Sequence, residues 1–378
     1  MSIVFSAEDF EYVDSDSALS EMVECCLKQQ LVALDTEFIR RDTFYPLPAL
    51  LQLYDGKTIF LVDPLQIDDF SPLRKLFLAP DTVKVMHSCS EDMAVFSRLL
   101  GCFPRPLVDT QIAASLVGLP YSMSYQRLVS ELTGLELQKG ETRSDWLQRP
   151  LTTSQCHYAS DDVLYLLDVY SHLNTRLAEL GRQSWLQEEC DVLLQLCENP
   201  LPSEEYYFRI KNAWRLDVMS LNALRALCAW REQKASEHDV PRGRVASDEV
   251  LLEVAQRRPN NKRDLSKLRS IYSTNVRCYG DDLLAVLSDA LGDDSASFPE
   301  PMAEKNRVDI KATLKLMKRR VLEVAEGLNI PVEMLARKQD LEAYLFAASK
   351  GETSIGAGWR REFLAEDLDR VIEKHYRH

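Results

Sequence analysis

The sequence predicts an α/β domain built on a mixed sheet, followed by two small all-α domains. Three observations carry that expectation: strand-like segments joined by a hairpin signal before residue 65, helical periodicity beyond residue 200, and a change of charge between the halves. A chain of 378 residues has room for two or three domains. Its 46% hydrophobic and 28% charged content exclude a disordered chain. No apolar run approaches the roughly 18–20 residues of a membrane span. The acidic start, MSIVFSAEDFEYVDSD, has no basic region of a signal peptide. The nine cysteines include no C-x-x-C pair and read as small buried hydrophobes of a reduced, cytoplasmic protein.

Taken in order, LVALDTEF (31–38) alternates. Val32, Leu34, Thr36 and Phe38 share one strand face, and Ala33, Asp35 and Glu37 the other. ALLQLYDG and KTIFLVDP follow around Asp55-Gly56, a short hairpin signal. VKVMHS (83–88) predicts a fourth strand and PLVDT (106–110) a short fifth. Helical patterns cover 91–100, 109–117, 124–133 and a long stretch of about 154–180. The Pro-rich ENPLPS (198–203) closes the first domain. Beyond it, Leu221, Leu224, Leu227 and Trp230 recur at helical steps, and Ser247 is placed to cap a helix that stops at Pro259. A loose break, GDDSASFPEP (292–301), precedes a last helical segment. The expected domains are 1–200, 211–292 and 302–378.

Charge divides along the same line. Residues 1–200 hold 15 basic and 30 acidic side chains, whereas 201–378 hold 30 and 29. In the first half, phosphate must be met locally or through metal rather than by a bulk positive field. In the second half, Arg242, Arg244, Arg257, Arg258, Lys262, Arg263, Lys267 and Arg269 form one basic run, and Lys311, Lys315, Lys318, Arg319 and Arg320 another. Either is a solvated, salt-bridged helix face or an RNA contact. Tyr272 and Tyr279 are placed for packing or base stacking.

Three short elements carry candidate chemistry. Asp35 and Glu37, two apart on a strand, point the same way, and close carboxylates repel unless a cation lies between them. Taken alone, such a pair is usually a solvated strand face, but the apolar Val32, Ala33 and Leu34 before it point to a central strand. Asp92 heads a helix just after a strand, where Ser90, Glu91 and Asp92 also serve as ordinary capping residues. Tyr158 and Asp162 lie one turn apart on a helix whose Val163, Leu166, Leu167 and Tyr170 face a core; Asp161 competes with Asp162.

As a set, D-x-E, an Asp about 55 residues later and Y-x-x-x-D about 65 further on resemble the DEDD superfamily of 3′-5′ exonucleases, in its tyrosine subclass. Leu50-Leu51-Gln52-Leu53 and His87 with Ser90-Glu91-Asp92 match it too, and Lys139-Gly140 with Ser144-Asp145-Trp146 look most like the ribonuclease D family. In the second half, Leu224, Leu227, Trp230-Arg231-Glu232, Ala235, Pro241, Asp248, Leu251, Ala255, Pro259 and Leu265 resemble an HRDC module. Residues 302–378 resemble a second, divergent copy through Val324-Ala325, Leu335-Ala336-Arg337-Lys338, Leu341-Glu342 and Trp359-Arg360.

The resemblance implies a ribonuclease H-like exonuclease domain followed by two HRDC domains. It implies a 3′-to-5′ exoribonuclease that releases 5′-phosphomononucleotides from RNA, with tRNA precursors as substrates. Two divalent ions, Mg²⁺ or Mn²⁺, are implied as cofactors. Asp35 would bridge them, Glu37 and Asp162 would complete one site, Asp92 would hold the second, and Tyr158 would orient the attacking water. Phe38 and His87, with Tyr158, would contact the terminal nucleotide. No membrane and no obligate protein partner are implied. A DNA exonuclease of the same superfamily and a non-catalytic RNA-binding scaffold are the competing readings. A chain cut near residue 205 is expected to hydrolyse short oligonucleotides but to handle tRNA poorly.

Overall fold

The computed structural model describes residues 10–137, 140–141, 144–302, 308–349 and 358–375; Lys139 of the motif residues lies outside them. Six strands form one sheet: β1 (Phe10–Val13), β2 (Leu31–Ile39), β3 (Leu47–Tyr54), β4 (Ile59–Val62), β5 (Val83–Met86) and β6 (Leu107–Asp109). Their order is β1-β4-β3-β2-β5-β6. β2, β3 and β4 pair antiparallel, while β1 runs parallel to β4, β5 to β2 and β6 to β5. This is the mixed sheet that the hairpin-then-alternation pattern predicts. At the β3–β4 turn, Asp55 Oδ1 accepts from the amides of Lys57 and Thr58, both at 2.8 Å, and Gly56 takes φ +89°.

Helices cover both faces. α1 (Asp16–Cys26), α2 (Ser71–Phe77) and α3 (Asp92–Leu100) pack on the face formed by Val32, Leu34, Leu51, Leu53 and Phe60. On the other face, α4 (Thr110–Leu116), α5 (Tyr125–Thr133), α6 (Thr153–Leu164), α7 (Leu166–Glu179) and α8 (Gln183–Glu198) surround Ala33, Leu50, Ile59, Leu61 and Val85. Each fully buried leucine here is worth about 1.5–3 kcal/mol over an exposed one. The predicted helix of 154–180 is two helices broken at Tyr165, whose backbone (φ −95°, ψ 0°) leaves the helical range. Strand β1 and helices α1, α2 and α8 are additions to the sequence reading.

The chain divides into two compact units. One joins Met1–Ile39, Pro46–Glu198 and Val308–His378; the other joins Arg40–Tyr45 to Asn199–Arg307. The first unit therefore also contains α14 (Val308–Leu328), α15 (Val332–Leu335), α16 (Lys338–Ser349) and α17 (Trp359–His375). Ile310, Leu314, Met317, Val321, Trp359 and Leu364 share one hydrophobic cluster with the sheet and α4–α8. Trp185 stacks on Trp359 at 4.4 Å, and Arg182 donates to the carbonyls of Leu116 and Leu328, each at 2.6 Å. A chain cut near residue 205 would therefore lose part of the catalytic unit's own core.

The second unit is helical: α9 (Val218–Glu237), α10 (Arg242–Val245), α11 (Asp248–Arg257), α12 (Lys262–Leu265) and α13 (Ser273–Gly292). Leu221, Leu224, Leu227 and Trp230 are buried as the periodicity predicts, and the Ser247 side chain caps α11. Of its basic run, Arg242, Arg244, Arg258, Lys262 and Lys267 pair with Glu232, Asp42, Asp217, Asp281 and Asp264. Glu232 is buried; the other four pairs are exposed and worth about 0–1 kcal/mol each.

Candidate active site

The central strand places the first two acids. Asp35 and Glu37 stand on the α6-facing side of β2, and neither has a lysine or arginine among the charges that dominate its titration. Burial pushes Asp35 well above the usual carboxylate range, and the charges of Asp92, Asp162 and Glu37 push it further. Burial, then Asp162 and Asp92, push Glu37 up to about 8.

Asp92 enters from the first turn of α3. It is 7% exposed, accepts a short hydrogen bond from the Thr36 hydroxyl, and is pushed up to about 7 by burial against the opposing effect of that bond. The turn before it is set by Asp109, a buried residue where the predicted fifth strand and the following helix overlap. Its carboxylate accepts from the amides of Ser88 and Cys89, both at 3.0 Å, and also from Gln111 at 2.8 Å, capping α4. A D-T pair before an apolar helix was the available signal.

Tyr158 and Asp162 lie on α6, as their spacing predicts. The Tyr158 hydroxyl is hydrogen-bonded to Asp162, whose carboxyl burial pushes up to about 8. Asp162, not Asp161, is the helix charge that acts on Asp35 and Glu37. Asp161 instead offers its backbone carbonyl to the Tyr125 hydroxyl at 3.1 Å. Tyr158 is held well above the ordinary tyrosine range by burial and by the surrounding acids, so it serves as a neutral donor and not as a base.

The weaker candidates are placed differently. His87 has both ring nitrogens engaged, with Nδ1 2.8 Å from Thr110 Oγ1 and Nε2 3.0 Å from the Met123 carbonyl, so only its ring edge and face remain for a nucleotide. Phe38 sits at a bulge in the β2–β3 pairing, where the register shifts after Glu37.

The segment before α6 forms a wall beside the tyrosine. Trp146 is buried with its ring 6.1 Å from that of Tyr158. Arg149 fixes this segment: it donates to Asp63 at 2.6 and 2.7 Å, to the Ala49 carbonyl at 2.6 Å and to the Trp146 carbonyl at 2.8 Å. The charge-assisted bonds from Arg149 outweigh burial and hold Asp63 below the usual carboxylate range. Arg149→Ala strands the almost fully buried Asp63 carboxylate and is expected to cost about 3 kcal/mol, read as a fall in melting temperature. A melting curve unchanged within a degree would contradict this role.

Among the described residues, no three acidic, histidine or cysteine side chains close around one ion-sized point. The donor chemistry nevertheless fits divalent cations: four hard carboxylates are each raised chiefly by burial, and the charges of Asp92 and Asp162 reach both Asp35 and Glu37. This fixes the sign of a pH effect in metal-free protein. In the unfolded chain these acids titrate near about 4. Folded, Asp92, Glu37 and Asp162 keep their protons to about 7 or 8, so the native state binds more protons between those limits. Stability then falls as pH rises through that window. Metal-free protein should melt several degrees lower at pH 8 than at pH 6, and Mn²⁺ should restore more at pH 8. A melting temperature that rises across this interval would contradict the raised carboxyls.

A mixed sheet that gathers D-x-E, a helix-borne Asp and Y-x-x-x-D defines the molecule as a 3′-5′ exonuclease. The family model described as 3′-5′ exonuclease matches residues 10–178, and that of the HRDC domain matches 220–287. Ribonuclease D of Pseudomonas paraeruginosa is 38% identical, with 97% of this chain and 99% of that protein covered. Ribonuclease D of Escherichia coli is 34% identical over 97% and 99%. The crystal structure of Escherichia coli RNase D, described as an exoribonuclease involved in structured RNA processing, superposes with a TM-score of 0.91 at 33% identity, covering 97% and 100%. The catalytic core of RRP6 from Trypanosoma brucei gives 0.59 at 26% identity over 75% and 80%.

The chain belongs to the ribonuclease D family and is a 3′-5′ exoribonuclease. Exonucleases with this acid set depend on divalent metal. All nine cysteines are free thiols, and among the described residues no helix is long and apolar enough to cross a membrane.

Proposed function

We propose that this exoribonuclease trims 3′ extensions from structured RNA, tRNA precursors in particular, by two-metal-ion hydrolysis. The observation that carries the reading is the gathering of four carboxylates, with Asp92 and Asp162 both reaching Asp35 and Glu37, beside a neutral tyrosine hydroxyl. Two divalent cations, Mg²⁺ or Mn²⁺, would neutralise the scissile phosphate and make water nucleophilic near neutral pH.

The protein's part is to hold and orient. Asp35, Glu37 and Asp162 would hold the cation that activates water, and Asp92 with Asp35 would hold the other. The Tyr158 hydroxyl, now bonded to Asp162, aims that water. Water adds to phosphorus as the bond to the 3′ oxygen breaks; the shortened RNA keeps a 3′-hydroxyl and a 5′-phosphomononucleotide leaves. Phe38 and the ring edge of His87 border the terminal nucleotide.

Residues 211–292 are read as an HRDC domain and 302–378 as a second, divergent one. Arg257, Arg263 and Arg269 in the former, with Lys311, Lys315 and Lys318 in the latter, supply phosphate contacts. The protein works in the cytoplasm without an obligate partner.

The test is a 5′-labelled tRNA with a short 3′ extension, with Mg²⁺, against the same molecule ending in deoxynucleotides. The expected result is a one-nucleotide ladder that stalls at the deoxy end. Equal rates on both ends would favour the DNA exonuclease.

A further inference from the structure

Gln52 occupies the middle of β3, fully buried, and neither amide atom has a hydrogen-bond partner among the described residues. It is directly opposite Asp35 across the antiparallel β2–β3 ladder and opposite Leu61 on β4. Leu50 and Leu61 pack toward α6 whereas Leu51 and Leu53 pack on the other face, so alternation puts Gln52 on the face that carries Asp35. Side chains directly opposite in such a ladder stand with Cβ atoms about 4.5–5.5 Å apart. A buried amide with no partner costs free energy that a leucine of similar size avoids, and such a group needs an explanation.

Among the neighbouring acids, hydroxyl donors are already assigned to two. Asp92 has the Thr36 hydroxyl and Asp162 has the Tyr158 hydroxyl. For Asp35, the side chain directly opposite on the same face is that of Gln52, whose amide is unpartnered among the described residues.

We propose that Gln52 is a positioning residue for the metal site, its Nε2 donating to the Asp35 carboxylate, directly or through one water, when divalent metal is bound. The inference rests on the reading of Asp35 as a metal ligand. An outer hydrogen bond of this kind fixes the ligand's orientation, and its loss typically weakens metal binding 10–100-fold.

The experiment compares Gln52→Leu, and Gln52→Met should the first fail to fold, with wild type and Asp35→Asn. Calorimetry measures Mn²⁺ binding to metal-free protein, and melting is followed without metal. The expected result is opposite signs: a melting temperature a few degrees higher, with Mn²⁺ binding and the half-saturating Mn²⁺ for turnover both weakened about 10-fold. Unchanged Mn²⁺ binding in the Gln52 variants would overturn the inference, whatever the melting temperature does. Unchanged Mn²⁺ binding in Asp35→Asn would instead overturn the assignment of Asp35 itself, which separates the two failures.

Discussion

Asp35→Asn is expected to lower 3′-end trimming by on the order of 10³-fold or more, about 4 kcal/mol of barrier, while the protein stays folded. The loss follows from the position of Asp35 at the centre of the acidic field, where the charges of Asp92, Asp162 and Glu37 all reach it. The same substitution should leave metal-free protein at least as stable, because it removes a carboxyl whose ionisation burial and three neighbours oppose. Asp162→Asn should behave alike, since burial and Asp161 oppose its charge. RNA binding should survive in both. Loss of activity together with a collapsed melting curve would point to a structural role, and near wild-type turnover in both variants would remove the catalytic assignment.

Ending the chain at residue 307 is expected to be the most damaging structural change. Trp185 loses the ring stacked on it, and Glu189, 10% exposed at its side chain, loses the 2.7 Å bond from the Trp359 indole and the 2.8 Å bond from Arg360. Ile310, Leu314, Met317 and Val321 leave the cluster that includes Leu116 and Val117. Exposed apolar surface and an orphaned buried carboxylate together should lower the melting temperature by more than about 10 °C or drive aggregation. A monomeric chain of 307 residues melting with the full-length protein would contradict the one-core description.

What the sequence made legible was local. Strand alternation put Asp35 and Glu37 on one face, and helical spacing put Tyr158 and Asp162 one turn apart. The Asp55-Gly56 turn and the Ser247 cap are equally short-range. What stayed hidden depends on residues distant in the chain. β1 is four residues with two exposed side chains, held through backbone pairing to β4. Trp359 faces Trp185, and Arg149 finds Asp63, only once the fold brings them together. Gln52 reads as one polar residue in a strand until the ladder sets it against Asp35. Asp161 and Asp162 are adjacent, and only the direction of α6 separates their roles.

The most direct measurement is a crystal structure with Mn²⁺ and a nucleoside 5′-monophosphate, located by the anomalous scattering of manganese. The account predicts two peaks about 3.5–4 Å apart, with Asp35 touching both, Glu37 and Asp162 on one, Asp92 near the other, and the Tyr158 hydroxyl beside the phosphate. Manganese bound elsewhere, or a nucleotide seated away from these five side chains, would contradict it.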